Sequence, residues 1–400
     1  MSMGKVSTLD IPVTAEMRDD RVLRLGMVGG GLGAFIGGVH RAAARLDNRY
    51  ELVAGVFSEI HEEAVASARL LRVPTERTYL DYNEMAEREA ERADRIDAVV
   101  IVTPNYLHYP IAEAFARRGF NIICDKPLCT TLEEARKLAA IAREAGVVFC
   151  VTQNYTGYPM VREARALVAS GVLGKLRTVK VSYAQEWLTT SLETSGHRQA
   201  KWRGDPALGG MAGCVADIGS HAFNLAQFIS GLDVESLCAE LCTFVEGRLV
   251  DDHAQVMIRY NGGARGSIWA SQVAPGEEQN LEISIYGERG GLVWRHETAD
   301  RLILSIYGER PQILSRGSAG RSEAAARSTR LPAGLPEGYF ECFANLYSDV
   351  AEAITARLQG KSDVVPKFPT VDDGVKVIEF IDASIRSNRD GGVWTTLRSE

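Results

Sequence analysis

Strand-like runs that alternate with helical patterns restrict this chain more than any other feature, because parallel strands need crossovers long enough to hold a helix. The series begins with a strand over 22–28, a glycine cluster and a helical stretch. A strand over 50–57, an Ala/Glu-rich helix over 62–71, a charged helix over 81–95 and a β-branched strand over 96–103 follow. A helix over 110–119, a strand over 121–124, a helix over 131–146 and a strand over 147–152 complete it. This order predicts an α/β fold whose first ~150 residues form one doubly wound parallel sheet.

Beyond Gln153 the pattern changes. A helix over 159–170 leads into 175–187, where apolar and polar residues alternate as in a half-buried antiparallel strand. Further strands over 237–244, 252–260, 264–272, 280–286, 291–296 and 301–307 are separated by turn signals such as Asn261-Gly262-Gly263. They predict a second, α+β domain with a large, mostly antiparallel open sheet. Ser284-Ile285-Tyr286-Gly287-Glu288-Arg289 recurs as Ser305-Ile306-Tyr307-Gly308-Glu309-Arg310, which suits two neighbouring strands with similar turns and is too few copies for a solenoid. The Ser-, Ala-, Gly- and Arg-rich stretch 311–338 reads as a long excursion, mobile or laid over a site. Helices over 340–358 and 370–386 close the chain.

A length of 400 residues exceeds what one core usually serves. The expected division is a disordered lead-in over 1–20, a dinucleotide-binding domain over 21–152 and a substrate-binding and oligomerisation domain over 153–400, its last helix placed to pack back on the first. Acidic residues outnumber basic ones by 52 to 45, the wrong sign for neutralising the phosphates of a nucleic acid. No stretch is apolar for long enough to span a bilayer, and the polar start of the chain lacks the apolar centre of a secretory signal. Seven scattered cysteines without paired spacing fit reduced thiols in a cytoplasm. A broad sheet with one free face further suggests a homodimer or homotetramer.

A strand running into Gly29-Gly30-Gly31-Leu32-Gly33 and then a helix offers a pyrophosphate free backbone N–H groups, no obstructing Cβ atoms and a positive helix end. The strict spacing of three glycines is broken: Ala34 stands at the third, and Gly37-Gly38 comes three residues late. Thr103-Pro104-Asn105-Tyr106-Leu107-His108 follows one strand and Cys124-Asp125-Lys126-Pro127 the next, both at strand ends where ligands gather in open α/β sheets. Asp217-Ile218-Gly219-Ser220-His221 lies in the second half. In this order the motifs resemble the glucose-fructose oxidoreductase, inositol dehydrogenase and rhizopine-catabolism family, written Gfo/Idh/MocA, from about Arg21 to the last helix. The resemblance implies a Rossmann domain that holds NAD through Gly29, Gly31, Leu32, Gly33, Ser58, Glu59, Thr103, Pro104, Asn105, His108, Asp125, Lys126, Asn154, Trp202 and Arg203. Many members carry an acid where Ser58 stands. Here Glu59, Glu62 and Glu63 crowd that corner without a cation, which disfavours a 2′-phosphate and favours NAD over NADP.

Oxidising a secondary alcohol requires a hydride acceptor, a base for the hydroxyl proton and donors for the developing alkoxide. Asp217 and His221, four residues apart, share a face if helical, so the carboxylate is expected to orient the imidazole. By resemblance, Lys126 contacts substrate and cofactor, and His221 is the base. Taken singly, Lys126 also reads as a surface charge and His221 as a buried structural histidine; their joint order decides for chemistry. With two ligands and no third, no metal site is expected. The cations of 197–203 include His197, Lys201 and Arg203, which meet either an anionic substrate group or solvent. Tyr155, Tyr158 and Trp187 either stack on a sugar or belong to the core.

The leading expectation is an NAD-dependent dehydrogenase acting on a ring hydroxyl of a cyclitol, sugar or sugar derivative. A second is a glycosidase that oxidises the sugar transiently, eliminates the aglycone and reduces the ring again, as some proteins resembling this family do, including ones acting on sulfoquinovose glycosides. A third, a non-catalytic sensor of cofactor and sugar, is disfavoured by the presence of both Lys126 and His221.

Overall fold

The computed structural model describes residues 21–193, 195–196, 198–361 and 365–397. The expected lead-in over 1–20 and His197 lie outside the described residues.

Five strands form a parallel sheet: β1 (Leu23–Gly29), β2 (Tyr50–Val56), β3 (Ala98–Val102), β4 (Asn121–Cys124) and β5 (Phe149–Val151), in the order β2-β1-β3-β4-β5. Helices on both faces bury β3 completely, which is why its sequence is an uninterrupted Ala98-Val99-Val100-Ile101-Val102 run. The strand order reverses at β1, between β2 and β3, so the loops that follow β1, β3 and β4 open into one crevice. These are the three loops that carry the glycines, Thr103–His108 and Asp125–Pro127.

The second sheet has eight strands: β6 (Leu176–Ala184), β7 (Val234–Cys242), β8 (His253–Tyr260), β9 (Arg265–Ser271), β10 (Asn280–Gly287), β11 (Gly290–Arg295), β12 (Arg301–Ile306) and β13 (Gln312–Ser315). Their order is β13-β12-β11-β10-β6-β9-β8-β7, with every neighbouring pair antiparallel except β6 and β9. The parallel pair sends Gln185 and Gln272, the residues after both strands, to the same sheet end. The antiparallel neighbours β8 and β10 start there, so Asp251, Asp252 and Gln279 arrive at the same place. The two similar Ser-Ile-Tyr-Gly-Glu-Arg segments end β10 and β12, which are not neighbours: each leads into its own hairpin, and β11 lies between them.

The last two helices join the sheets. Tyr339–Leu358 packs on Phe35–Leu46, where the Tyr347 hydroxyl lies 2.9 Å from His40 Nδ1. Val371–Arg389 packs on Leu132–Ala145 and on Ser220–Ser230, with the rings of Phe223 and Phe380 stacked at 4.3 Å. Among the described residues no helix is long and apolar enough to cross a membrane.

The 311–338 stretch packs on the body of the protein and contributes no residue to the lining of the pocket beside Lys126 and Asp217. It forms β13 and a helix at Glu323–Arg327, and buried Arg316 pins it. Arg316 donates to Asp300 at 2.7 Å, to Glu337 at 2.8 Å and to the Leu331 carbonyl at 2.6 Å. Arg330 pairs with Asp47 at the end of the first helix, and Arg321 with Glu163. Polar composition suggested a free excursion, but these arginines are consumed by internal carboxylates. Replacing Arg316 with Met leaves buried Glu337 with only the more distant Arg330, 3.9 Å away, as a cation and is expected to lower stability by about 3 kcal/mol, read as a reduced urea midpoint.

Candidate active site

The crevice begins at the glycine loop. Gly30 and Gly37 press together so closely that a Cβ on Gly37 would lie 2.4 Å from the Gly30 Cα. Gly37 therefore does the helix-to-strand packing assigned to the third glycine of the usual spacing, and the late Gly37-Gly38 pair is explained. On the other side, a Cβ on Gly31 would meet the Phe57 carbonyl at 2.4 Å, and Ser67 Oγ accepts from the Leu32 N–H at 3.1 Å. The following helix, Phe35–Leu46, has no side-chain cap and no acid in its first turn. Its N-terminal N–H groups are thus left for an external anion, which fits a pyrophosphate. Arg41 donates to the Gly30 carbonyl and braces the loop.

At the ribose corner, Ser58 Oγ donates to Glu63 at 2.8 Å, and exposed Glu59 stands beside it. The carboxylate missing at Ser58 is thereby supplied from the first turn of the next helix. A ribose diol can donate to it, whereas a 2′-phosphate is repelled.

Lys126 follows β4, and its Nζ donates to Asp217 Oδ1 at 2.6 Å and to the Asp217 carbonyl at 2.8 Å. An ammonium has three donors, so one remains for a ligand. Asp217 sits in a π-turn, Val215–Gly219, that opens the helix Ser220–Ser230. Such turns recur at functional sites. Asp251 anchors this turn from the neighbouring sheet by accepting from the Gly213 and Val215 N–H groups at 2.7 and 2.8 Å. Burial alone would raise the Asp217 pKa, but Lys126 and Arg203 hold it below the usual carboxylate range.

The expected pairing of Asp217 with His221 is not what forms. Asp217 is engaged by Lys126 and by Gln272 Nε2, which donates to Oδ2 at 2.8 Å, while His221 Nδ1 is buried without a hydrogen-bond partner. A cationic ammonium is the stronger partner for a carboxylate than a neutral imidazole. Burial, reinforced by the Lys126 charge, lowers the His221 pKa to about 3, so the ring is neutral. Tyr155 packs edge-on against it at 5.0 Å, and Tyr183 lies at 6.3 Å.

Several expected contacts are placed elsewhere. His108 is buried with its ring nitrogens 2.7 Å from the Pro127 carbonyl and 3.0 Å from that of Thr103, so it ties two crevice loops together instead of facing a cofactor. Asn154 is buried, its amide turned to Cys342 Sγ at 3.7 Å. Tyr155 and Tyr158 are buried behind His221, with the Tyr158 hydroxyl 3.0 Å from His296 Nε2, and neither presents a free face for a sugar. Lys201 points to solvent. Trp187 lies in the turn after β6, and its neighbour Leu188 lines the pocket. Thr103 and Pro104 border the crevice, and Asn105 donates to the Gly209 carbonyl at 3.2 Å, joining the two halves. Asp125 accepts from Thr152 at 2.9 Å and lies 3.8 Å from His40, which with Lys126 keeps it ionised against the effect of burial.

The pocket beside Lys126 and Asp217 is lined by Asn105, Arg203, Glu193, Arg248, Asp251 and Gln272 among others. Arg203 stacks over Trp202 at 4.5 Å and reaches to 3.7 Å from Asp217. Arg248 is buried between Glu193 at 2.6 Å and Asp252 at 2.9 Å. Gln272, Asp251, Glu193 and Arg248 carry no motif; only their shared position at one sheet end marks them, and that depends on the strand pairing.

Two family models match: an oxidoreductase family with an NAD-binding Rossmann fold over residues 23–153, and the GFO/IDH/MocA C-terminal domain over residues 161–293. The chain belongs to the Gfo/Idh/MocA oxidoreductase family. It is an NAD-binding enzyme related to inositol and sugar dehydrogenases. An uncharacterized oxidoreductase of Bacillus subtilis is 32% identical over 381 residues, covering 94% of this chain and 97% of the relative. A levoglucosan dehydrogenase of Pseudarthrobacter phenanthrenivorans is 28% identical, covering 72% of this chain and 77% of that one. Among solved structures, an inositol dehydrogenase homolog from Azotobacter vinelandii, complexed with NADH and myo-inositol, is similar with a TM-score of 0.88 and 34% identity, covering 94% of this chain and 98% of that chain.

Because its folded-state pKa lies below the ordinary value, the His221 ring is expected to show no titration by NMR from about pH 5 to about pH 8. The sign for stability follows: protonating the unfolded chain's histidine draws the equilibrium toward unfolding as pH falls through the ordinary histidine range. A His221 signal that shifts near pH 6.5, about the ordinary value, would show an imidazole open to water.

Proposed function

We propose that the enzyme oxidises a secondary ring hydroxyl of a neutral cyclitol or sugar, with Lys126, Asp217 and His221 as its reacting centre. The observation that carries this reading is Lys126, with two donors fixed on Asp217 and a third left at the pocket beside a neutral imidazole. Bound NAD+ supplies the hydride acceptor. The free Lys126 N–H binds the substrate oxygen and stabilises it as negative charge develops. His221 Nε2 takes the hydroxyl proton, since Nδ1 is enclosed. Asp217 holds the Lys126 ammonium through its side chain and its carbonyl and so aims it. The glycine loop and the first helix hold the pyrophosphate, and the Ser58–Glu63 pair the ribose.

A neutral substrate is favoured because, among the described residues, the arginines of the pocket are committed: Arg203 leans on Asp217 and bonds Gln199, and Arg248 is enclosed by Glu193 and Asp252. The similar structure that holds myo-inositol and the relative named for levoglucosan both concern uncharged compounds, in keeping with this. We further propose a cytoplasmic homodimer or homotetramer. All seven cysteines are unbridged, and β8 and β9 turn Met257 and Trp269 outward on the sheet face away from the helices.

The test is a panel of cyclitols, neutral and acidic sugars and their glycosides, followed for NADH and for aglycone release. NADH formation with a neutral polyol is expected, and replacing Lys126 by Met should lower kcat by roughly a thousandfold while NAD affinity changes little. Aglycone release without net NADH would instead establish the redox-neutral glycosidase, and a Lys126→Met variant with full turnover would refute the assigned centre.

A further inference from the structure

Asp217 has two carboxylate oxygens, and Lys126 engages only one. The other, Oδ2, accepts from Gln272 Nε2 at 2.8 Å. Gln272 is 2% exposed, follows β9 and carries no family motif. We propose that Gln272 is a positioning residue, which fixes the rotation of the Asp217 carboxylate and so aims Lys126 at the substrate oxygen. The inference rests on reading this site as a dehydrogenase centre.

The hydrogen bonds around Gln272 have one consistent direction. Its second N–H faces Gln185 Oε1 at 3.5 Å, and Gln185 Nε2 donates to Gln279 Oε1 at 2.9 Å. The same Gln279 oxygen accepts from the Tyr183 hydroxyl at 2.8 Å. Having donated there, Tyr183 must accept from the Tyr155 hydroxyl at 2.5 Å. A carboxylate only accepts, so the amide group of Gln272 must turn its NH2 to Asp217, and the chain has no member that could favour the reverse. The other end of the chain is Tyr155, whose ring lies edge-on to His221. One series of side chains at one sheet end therefore borders both the carboxylate that holds Lys126 and the imidazole that takes the proton. Its amide members neither gain nor lose protons in the working range, so the series sets positions and does not conduct protons.

Without Gln272 the Asp217 carboxylate loses its second anchor, and the guanidinium of Arg203, already 3.7 Å from Oδ1, competes with Lys126 for it. Two variants test this, assayed with the polyol that the wild type oxidises best. Gln272→Met keeps the length and removes the donor; kcat is expected to fall roughly 10- to 100-fold, with the NAD dissociation constant, measured by fluorescence without substrate, unchanged. Gln272→Glu sets a carboxyl against Asp217, and the two share a proton only at low pH. Its kcat should therefore fall as pH rises from about 5 to about 8, a limb absent from the wild type, and its thermal stability relative to the wild type should fall over the same interval.

Wild-type kcat in Gln272→Met, or a wild-type pH profile in Gln272→Glu, overturns the proposal. If none of the polyols supports NAD reduction by the wild type, the dehydrogenase reading fails instead. The pH-dependent stability of Gln272→Glu still reports whether Gln272 faces an ionised Asp217.

Discussion

The ion pair between Lys126 and Asp217 is the contact on which the rest of the site depends, because its partners come from different sheets. Lys126 follows a strand of the parallel sheet, and Asp217 belongs to the π-turn above the large sheet. Its geometry is a product of both halves meeting correctly. The surrounding structure reads as support for that meeting: Asp251 ties the π-turn to the second sheet, His108 ties the crevice loops to each other, and Asn105 ties one of those loops to the opposite half. Helices from the end of the chain pack across both sheets and hold the halves at one separation.

Electrostatics sort the three central groups into separate roles. Burial acts on both Asp217 and His221, yet Asp217 stays ionised because Lys126 and Arg203 are near, while His221 stays neutral because the same Lys126 charge adds to burial. One cation thus favours the charged form of a carboxylate and the uncharged form of an imidazole one helical turn away. A neutral base beside a fixed ammonium is a suitable arrangement for removing a proton from an alcohol whose oxygen must then carry negative charge.

Much of this was legible in the residues. The run Ala98-Val99-Val100-Ile101-Val102 could only be a strand covered on both faces, and the loops after β1, β3 and β4 carry their glycines, Asn105 and Lys126 at the ends where ligands gather. What the residues did not disclose depends on pairing across the second sheet. Nothing local marks Gln272 or Asp251; they reach the site because β6 runs parallel to β9 while β8 and β10 run against them. The spacing of Asp217 and His221 suggested a pair, but spacing on a helix cannot show that a lysine from another sheet takes the carboxylate first. Composition misjudged 311–338 for the same reason: Arg316 and Arg330 look like solvent residues until Asp300, Glu337 and Asp47 are brought to them.

The central claim is that the third donor of Lys126 meets the reacting oxygen. A crystal structure of the enzyme with NADH and an oxidisable polyol tests it directly. Lys126 Nζ should lie within about 3.2 Å of the hydroxyl whose carbon faces the nicotinamide, with Asp217 still bound to the same nitrogen. A polyol bound with that hydroxyl on another residue, and Lys126 satisfied by Asp217 and water alone, would contradict the account.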